Sequence, residues 1–160
     1  MAARRAPLVV CALAALAIGL TLFSSRSGPG VSPDSVTYLS AGTNLAEGAG
    51  YVDFTGDELT VFPPGFPGVL ASGSVLGIQA ETTARVFNAA CFGAAVALTF
   101  LVLRRHTSRS TVALFGAALV ALSPPLLVVS DLVWSEMGFV ALTLAFSSRC
   151  TRRSRGTPVA

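Results

Sequence analysis

The sequence predicts an all-α protein, a polytopic membrane helical bundle of about four transmembrane helices with a cytoplasmic N-terminus. Three observations carry that expectation. Apolar residues make up 52% of the chain and charged residues 12%, with a mean hydropathy of +0.70, whereas soluble domains carry charge on about a quarter of their residues. Stretches of about 18–20 residues without charge recur along the chain, long enough to cross a hydrocarbon core. Threading those stretches through a bilayer also sorts the charges by sign. Nine of the eleven arginines then fall on the cytoplasmic side and all eight acidic residues on the outer side, as the positive-inside bias requires.

The first span is read at residues 6–25, after Arg4 and Arg5. The same stretch also fits a cleaved signal peptide, with Ser25-Arg26-Ser27 as a small-x-small site; the consistency of the remaining topology favours a retained span. Residues 26–85 form a large outer loop holding six of the eight acids and broken by Gly28-Pro29-Gly30, Gly48-Ala49-Gly50 and Pro63-Pro64-Gly65-Phe66-Pro67. Within it, Ser32-Pro33-Asp34 starts a short helix through residue 46, with Asp34 near the positive end of the helix dipole and Gly48 as its stop. Residues 65–78 are apolar, glycine-rich and too short to cross, so they suit an interfacial or re-entrant helix, with Phe62 and Phe66 near the lipid boundary.

The second span is expected at residues 86–103, ending in the basic turn Arg104-Arg105-His106-Thr107-Ser108-Arg109. A third follows at residues 111–130, kinked by Pro124-Pro125 near its far end. The fourth covers residues 132–148, entered through Asp131 and carrying Glu136 about one turn in; the tail at residues 149–160 is cytoplasmic. Small residues repeat every four positions in Ala89-Gly93-Ala97 and Ala113-Ala117-Ala121, which lets helices approach closely.

Soluble-enzyme signatures are absent: the sequence has no phosphate loop, dinucleotide fingerprint, nucleophile elbow or histidine pair. Cys11, Cys91 and Cys150 lack paired spacing and read as small apolar fillers. All eleven basic residues are arginine and the net charge is only +3, so no nucleic-acid partner is expected. His106 reads as a solvated loop residue and Trp134 as an interfacial anchor. Asp53, Asp57 and Glu58 sit in a Gly- and Thr-containing loop and read as solvated carboxylates. Asp34 stands apart, fixed by a proline just beyond the first span. Glu136 also stands apart, because a carboxylate inside an apolar helix needs a polar cavity or a partner; Arg85 is the partner at hand.

A set of short motifs, in order between these spans, carries a resemblance: Ser32-Pro33-Asp34-Ser35-Val36-Thr37-Tyr38, Asn44-Leu45-Ala46-Glu47-Gly48-Ala49-Gly50-Tyr51, Phe62-Pro63-Pro64-Gly65-Phe66-Pro67, Ala84-Arg85-Val86-Phe87-Asn88-Ala89, Leu122-Ser123-Pro124 and Ser135-Glu136. Over residues 6–148 the chain resembles the N-terminal part of the polytopic glycosyltransferases of GT-C type that use polyprenyl-phosphate sugars, among them protein O-mannosyltransferases and the lipid A aminoarabinose transferase. The resemblance implies transfer of a sugar from a polyprenyl-phosphate donor to an acceptor at the extracytoplasmic face of the cell membrane, the acceptor itself being unspecified. It implies that Asp34 is the essential acid, a base toward the acceptor hydroxyl, and that Glu136 and Tyr38 line the substrate site. Arg85, at the outer mouth of the second span, is the candidate phosphate contact. Many relatives carry Asp-Glu where this chain has Asp34-Ser35, which weakens a divalent-metal site, and no cofactor is expected. Complete relatives are much longer, so the chain reads as a truncated or partial form, with residues 157–160 opening a further helix. The competing readings are a non-catalytic membrane protein acting by helix assembly and a small transporter subunit; the latter calls for mid-membrane ionisable residues and a repeat relating two halves, neither of which is visible.

Overall fold

The computed structural model describes residues 2–154, with side chains from 5 to 150. Arg155 and the expected helix opening at 157–160 lie outside the described residues. The chain is helical: α1 (Ala2–Ser24) with a 3₁₀ turn (Ser25–Ser27), α2 (Pro33–Ala46), α3 (Gly65–Val75), α4 (Ala80–His106), α5 (Ser110–Ala121), α6 (Pro124–Asp131) and α7 (Glu136–Ser154). Among the described residues there is no β-strand, only the isolated bridges Gly30–Leu132 and Val52–Glu58.

Two helical segments, Arg5–Ser27 and Ala80–His106, are long and apolar enough to cross a membrane; a third crossing exists if α5 and α6, bent by 48°, form one span. At 1.5 Å per residue, the 27 residues of α4 reach about 40 Å, more than a hydrocarbon core of about 30 Å. This helix begins six residues before its expected start at residue 86. Glu81 in its first turn suits the positive end of the dipole, while Ala80 and Ala84 are buried beneath α2 and α3. Burial of those two alanines outweighs the local polarity that suggested a loop.

The span expected at 111–130 is instead two helices. Pro124 and Pro125 have no N–H to continue the ladder and occupy the first turn of α6, the one helical place that tolerates them. They start a new helix rather than kink the old one. The fourth expected span departs further. Residues 132–135 are not helical, α7 starts only at Glu136, and Arg149, Arg152 and Arg153 lie on its last turns. Its charge-free stretch, residues 137–148, rises only about 18 Å, too little for a bilayer core.

α4 is the central helix, packed by α1, α5 and α7, while α2 and α3 pair with each other over its N-terminal end. The main core gathers Ala17, Phe92, Val96, Ala117, Ala121 and Met137. Lipid tails are as apolar as leucine, so contact between such helices depends on close packing of small residues. The small-residue stripes meet that demand: Ala113, Ala117 and Ala121 are buried, and a Cβ on Gly93 would lie 2.7 Å from the Ile18 side chain of α1. A second core under α2 and α3 holds Tyr38, Phe66, Leu70, Ala84 and Val133. There Tyr38 meets Phe62 and Phe66 edge-on at centroid distances of 4.9 and 5.1 Å. Phe66, expected at the lipid boundary, is therefore an interior residue, and Phe62 is half-buried against the same ring.

Candidate functional site

The end of the bundle where α4 begins is organised by the cap of α2. Ser32 is extended (φ −120°, ψ 173°), and its Oγ accepts from the Ser35 amide at 3.3 Å. Pro33 follows at the first helical position and Asp34 lies in the first turn, an arrangement in which the cap, the fixed φ and the dipole agree. The Asp34 carboxylate is exposed. Ser35 points inward, fully buried, with its hydroxyl 3.1 Å from that of Ser32; an acid at position 35 would have to replace this buried contact. Among the described residues no group of three or more His, Cys, Asp or Glu is placed to hold a metal ion.

The non-helical residues 132–135 are stitched to this cap. Trp134 donates from Nε1 to Ser32 Oγ at 2.7 Å, and the Tyr38 and Ser135 hydroxyls lie 3.2 Å apart. The expected interfacial anchor is thus also a strut that holds α2. Two residues beyond Ser32 comes Asp34; two beyond Trp134 comes Glu136, exposed at the first position of α7. The structure brings these two carboxylates, each in the first turn of its helix, to the same end of the bundle. Because α7 begins at Glu136, that residue sits at a helix N-terminus rather than inside an apolar helix, and it needs no buried partner.

Arg85 is engaged elsewhere. It donates from Nε to Ser25 Oγ at 3.1 Å and from Nη2 to the Leu22 carbonyl at 3.4 Å, where a cation suits the C-terminal end of α1. Glu136, its expected carboxylate partner, receives neither bond. Tyr38 is brought to the centre of the site, but at 5% exposure it positions its neighbours rather than presenting a surface to substrate.

Three residues that sequence reasoning gave no role complete the frame. Breaking the helix at 132–135 frees backbone groups that need partners where water is scarce. Gly30 supplies two, donating to the Asp131 carbonyl at 2.9 Å and accepting from Val133 N at 3.2 Å. A Cβ there would fall 2.8 Å from Leu132 Cδ2, so this flat contact requires glycine. Asn88, buried within α4, donates from Nδ2 to the Leu132 carbonyl at 2.7 Å. Ser24 donates to Asp131 Oδ1 at 2.9 Å. A lone asparagine in an apolar run was the available signal for the first of these bonds to α4.

An apolar groove of about 610 Å³ descends from this end between α3, α4 and α7. Phe66, Phe87, Phe139 and Leu142 give it bulk, and Ser135 is the one hydroxyl that lines it, at the end near α2. Along α4 it runs from Phe87 to Leu98, a rise of about 16 Å. At 100° per residue, Arg85 projects from α4 about 160° away from Phe87, on the side of α1 rather than the groove.

Compared with known proteins, the chain matches no family model, no curated protein and no solved structure.

Proposed function

We propose that this chain is part of a membrane glycosyltransferase that moves a sugar from a polyprenyl-phosphate donor to an acceptor at the extracytoplasmic face, with Asp34 as the base. One observation carries the reading: an apolar groove between α3, α4 and α7 that reaches, at Ser135, the same end of the bundle as the helix N-termini bearing exposed Asp34 and Glu136. A lipid-linked donor needs that combination, because its hydrocarbon is held by the bilayer while its sugar must meet a fixed polar group at the surface. Asp34 takes the proton of the acceptor hydroxyl as that oxygen attacks the anomeric carbon, and the polyprenyl phosphate departs with the electron pair of the broken bond. Glu136 lines the sugar side of the site. The N-terminal amides of α2 and α7 provide the local positive potential, a task that Arg85, held at α1, does not perform.

A polyprenyl phosphate carrying a photoactivatable group in its second isoprene unit tests this on the chain in lipid nanodiscs. Crosslinks to α4 and α7 are expected, with loss of labelling in Ala141→Trp, which fills the groove. In membranes that show transfer, Asp34→Asn should lower the rate by about 10²–10⁴ without changing insertion. Labelling no stronger than that of a phospholipid with the same photoactivatable group would favour the helix-assembly reading instead.

A further inference from the structure

The outer loop carries a second cavity, about 680 Å³, between the C-terminal half of α2 and the turn that follows it. Its shape comes from a compact set of bonds. Asp53 N donates to the Asp57 carbonyl at 2.9 Å and Leu59 N to the Tyr51 carbonyl at 3.1 Å, closing a hairpin whose tip turns at Gly56 (φ +89°). Asn44 on α2 grips this hairpin, donating both Nδ2 hydrogens, to the Val52 carbonyl at 3.1 Å and the Asp53 carbonyl at 3.0 Å. Phe54, 68% exposed, is thereby held at the cavity with most of its ring open to solvent. In water an uncovered ring is a liability unless something stacks on it.

The polar lining selects what that is. The hydroxyls of Ser40, Thr43 and Thr55 already donate, to the Thr37 and Leu39 carbonyls and to the Asp53 carboxylate, so toward a ligand they act as acceptors, and no arginine or histidine lines the cavity to meet a phosphate or carboxylate. Asn44 has spent its donors and keeps Oδ1 as an acceptor. Asp53 Oδ1 accepts from Thr55 Oγ1 at 2.6 Å and from the Thr55 and Asp57 amides at 2.8 and 3.2 Å, which leaves Oδ2 for a ligand. Those bonds hold its carboxylate ionised. A rigid ring beside fixed acceptors and hydroxyls matches a sugar: its C–H face stacks on the aromatic while its hydroxyls donate to carboxylate and carboxamide.

We propose that the cavity between α2 and the 51–59 hairpin binds a neutral saccharide, with Phe54 as the stacking platform and Asp53 and Asn44 as hydroxyl acceptors. The site lies six to ten residues along α2 from Asp34, about 9–15 Å, so it is separate from the carboxylate proposed for transfer and stands whether or not that reading holds.

The test uses the full chain in nanodiscs free of glycoside detergent, with saturation-transfer NMR against maltotriose and the methyl glycosides of mannose, glucose, galactose and N-acetylglucosamine. At least one should bind. Phe54→Ala should weaken it about 3- to 10-fold, and Thr43→Val should weaken it measurably, with helix content unchanged in both. Phe146→Ala, an equally exposed ring on α7, should have no effect. Tetramethylammonium and calcium chloride serve as competing probes. The proposal is overturned if no saccharide of the panel binds, if Phe54→Ala binds as tightly as the parent, or if only the ammonium or calcium probe occupies the cavity.

Discussion

Replacing Gly42 by alanine sets two effects of similar size against each other, and the structure decides between them. In a helix interior alanine is favoured over glycine by about 0.8–1.0 kcal/mol. At Gly42, however, the new Cβ would sit 2.7 Å from Leu70 Cβ and 3.3 Å from the Pro67 carbonyl oxygen. Both belong to α3, and neither is the far end of a flexible side chain, so α2 and α3 must part by about 1 Å to reach ordinary contact distance. Overpacking of that kind costs about 1–3 kcal/mol. The net expectation is a loss centred near 1 kcal/mol, or about a fivefold drop in the hydrogen-exchange protection of α2 amides. Gly68, in α3 itself, has nothing within 4 Å of its Cβ position, so Gly68→Ala should raise protection by up to about fivefold. Amide exchange read by mass spectrometry on the chain in nanodiscs measures both. Equal stabilisation by the two substitutions would show that α2 does not lie so close to α3.

Other outcomes follow from the same geometry. The Trp134–Ser32 hydrogen bond should give a coupling of about 1 kcal/mol in a Trp134→Phe, Ser32→Ala double-mutant cycle; additive losses in the exchange of α2 would mean that the bond does not form. Cysteines placed at Thr55 and Ser108, both exposed, should lie on opposite sides of the membrane, so that an impermeant thiol reagent labels the first and spares the second in intact cells; the reverse pattern refutes the orientation. The Asp53 carboxyl is held below the usual carboxylate range, first by the Thr55 hydroxyl and then by the Thr55 amide. Its folded pKa lies below its unfolded one, so the stabilisation of the 51–59 hairpin is present at pH 5–7 and is lost as acid passes below about pH 4. Protease nicking of the hairpin should stay constant down to pH 5 and rise below pH 4, and Asp53→Asn should abolish that dependence.

Helical content, the first span, the second span and the start of α2 were legible because each rests on local terms: apolar length, or the agreement of Ser32, Pro33 and Asp34 over three residues. The stop near Gly48 was legible for the same reason, since its φ of +78° is a local demand. What escaped depends on contacts distant in sequence. Ala80 and Ala84 belong to α4 only because α2 and α3 cover them. Phe66 is interior only because Tyr38 turns toward it from α2. Residues 132–135 leave the helix because Gly30 and Asn88 accept or supply backbone hydrogen bonds that a helix would have made. Asp34 and Glu136 could each be singled out from sequence, but their common end of the bundle rests on the Ser32–Trp134 contact across 102 positions.

Those distant contacts also help this end of the bundle keep its shape, alongside the second core around Tyr38, Phe66, Leu70 and Val133. Between helices in lipid the hydrophobic effect offers almost no gain, so position is set by close packing and polar bonds. The bonds here form a continuous series along the rim. Thr21 and Ser130 hydroxyls meet at 2.8 Å between α1 and α6, Ser24 holds Asp131, and Arg85 holds Ser25 and Leu22. Asn88 and Gly30 fix the unwound residues 132–135, and Ser32 and Tyr38 then hang α2 from them. Each link is worth about 1 kcal/mol, so α2 can be detached without unfolding the bundle whose core lies deeper, around Phe92 and Met137. Cutting one link near the end of the series, such as Tyr38–Ser135, should therefore loosen α2 while α1, α4 and α5 keep their exchange protection. Cutting Asn88–Leu132 should loosen α2 and the start of α7 together, because both hang from the residues that Asn88 secures.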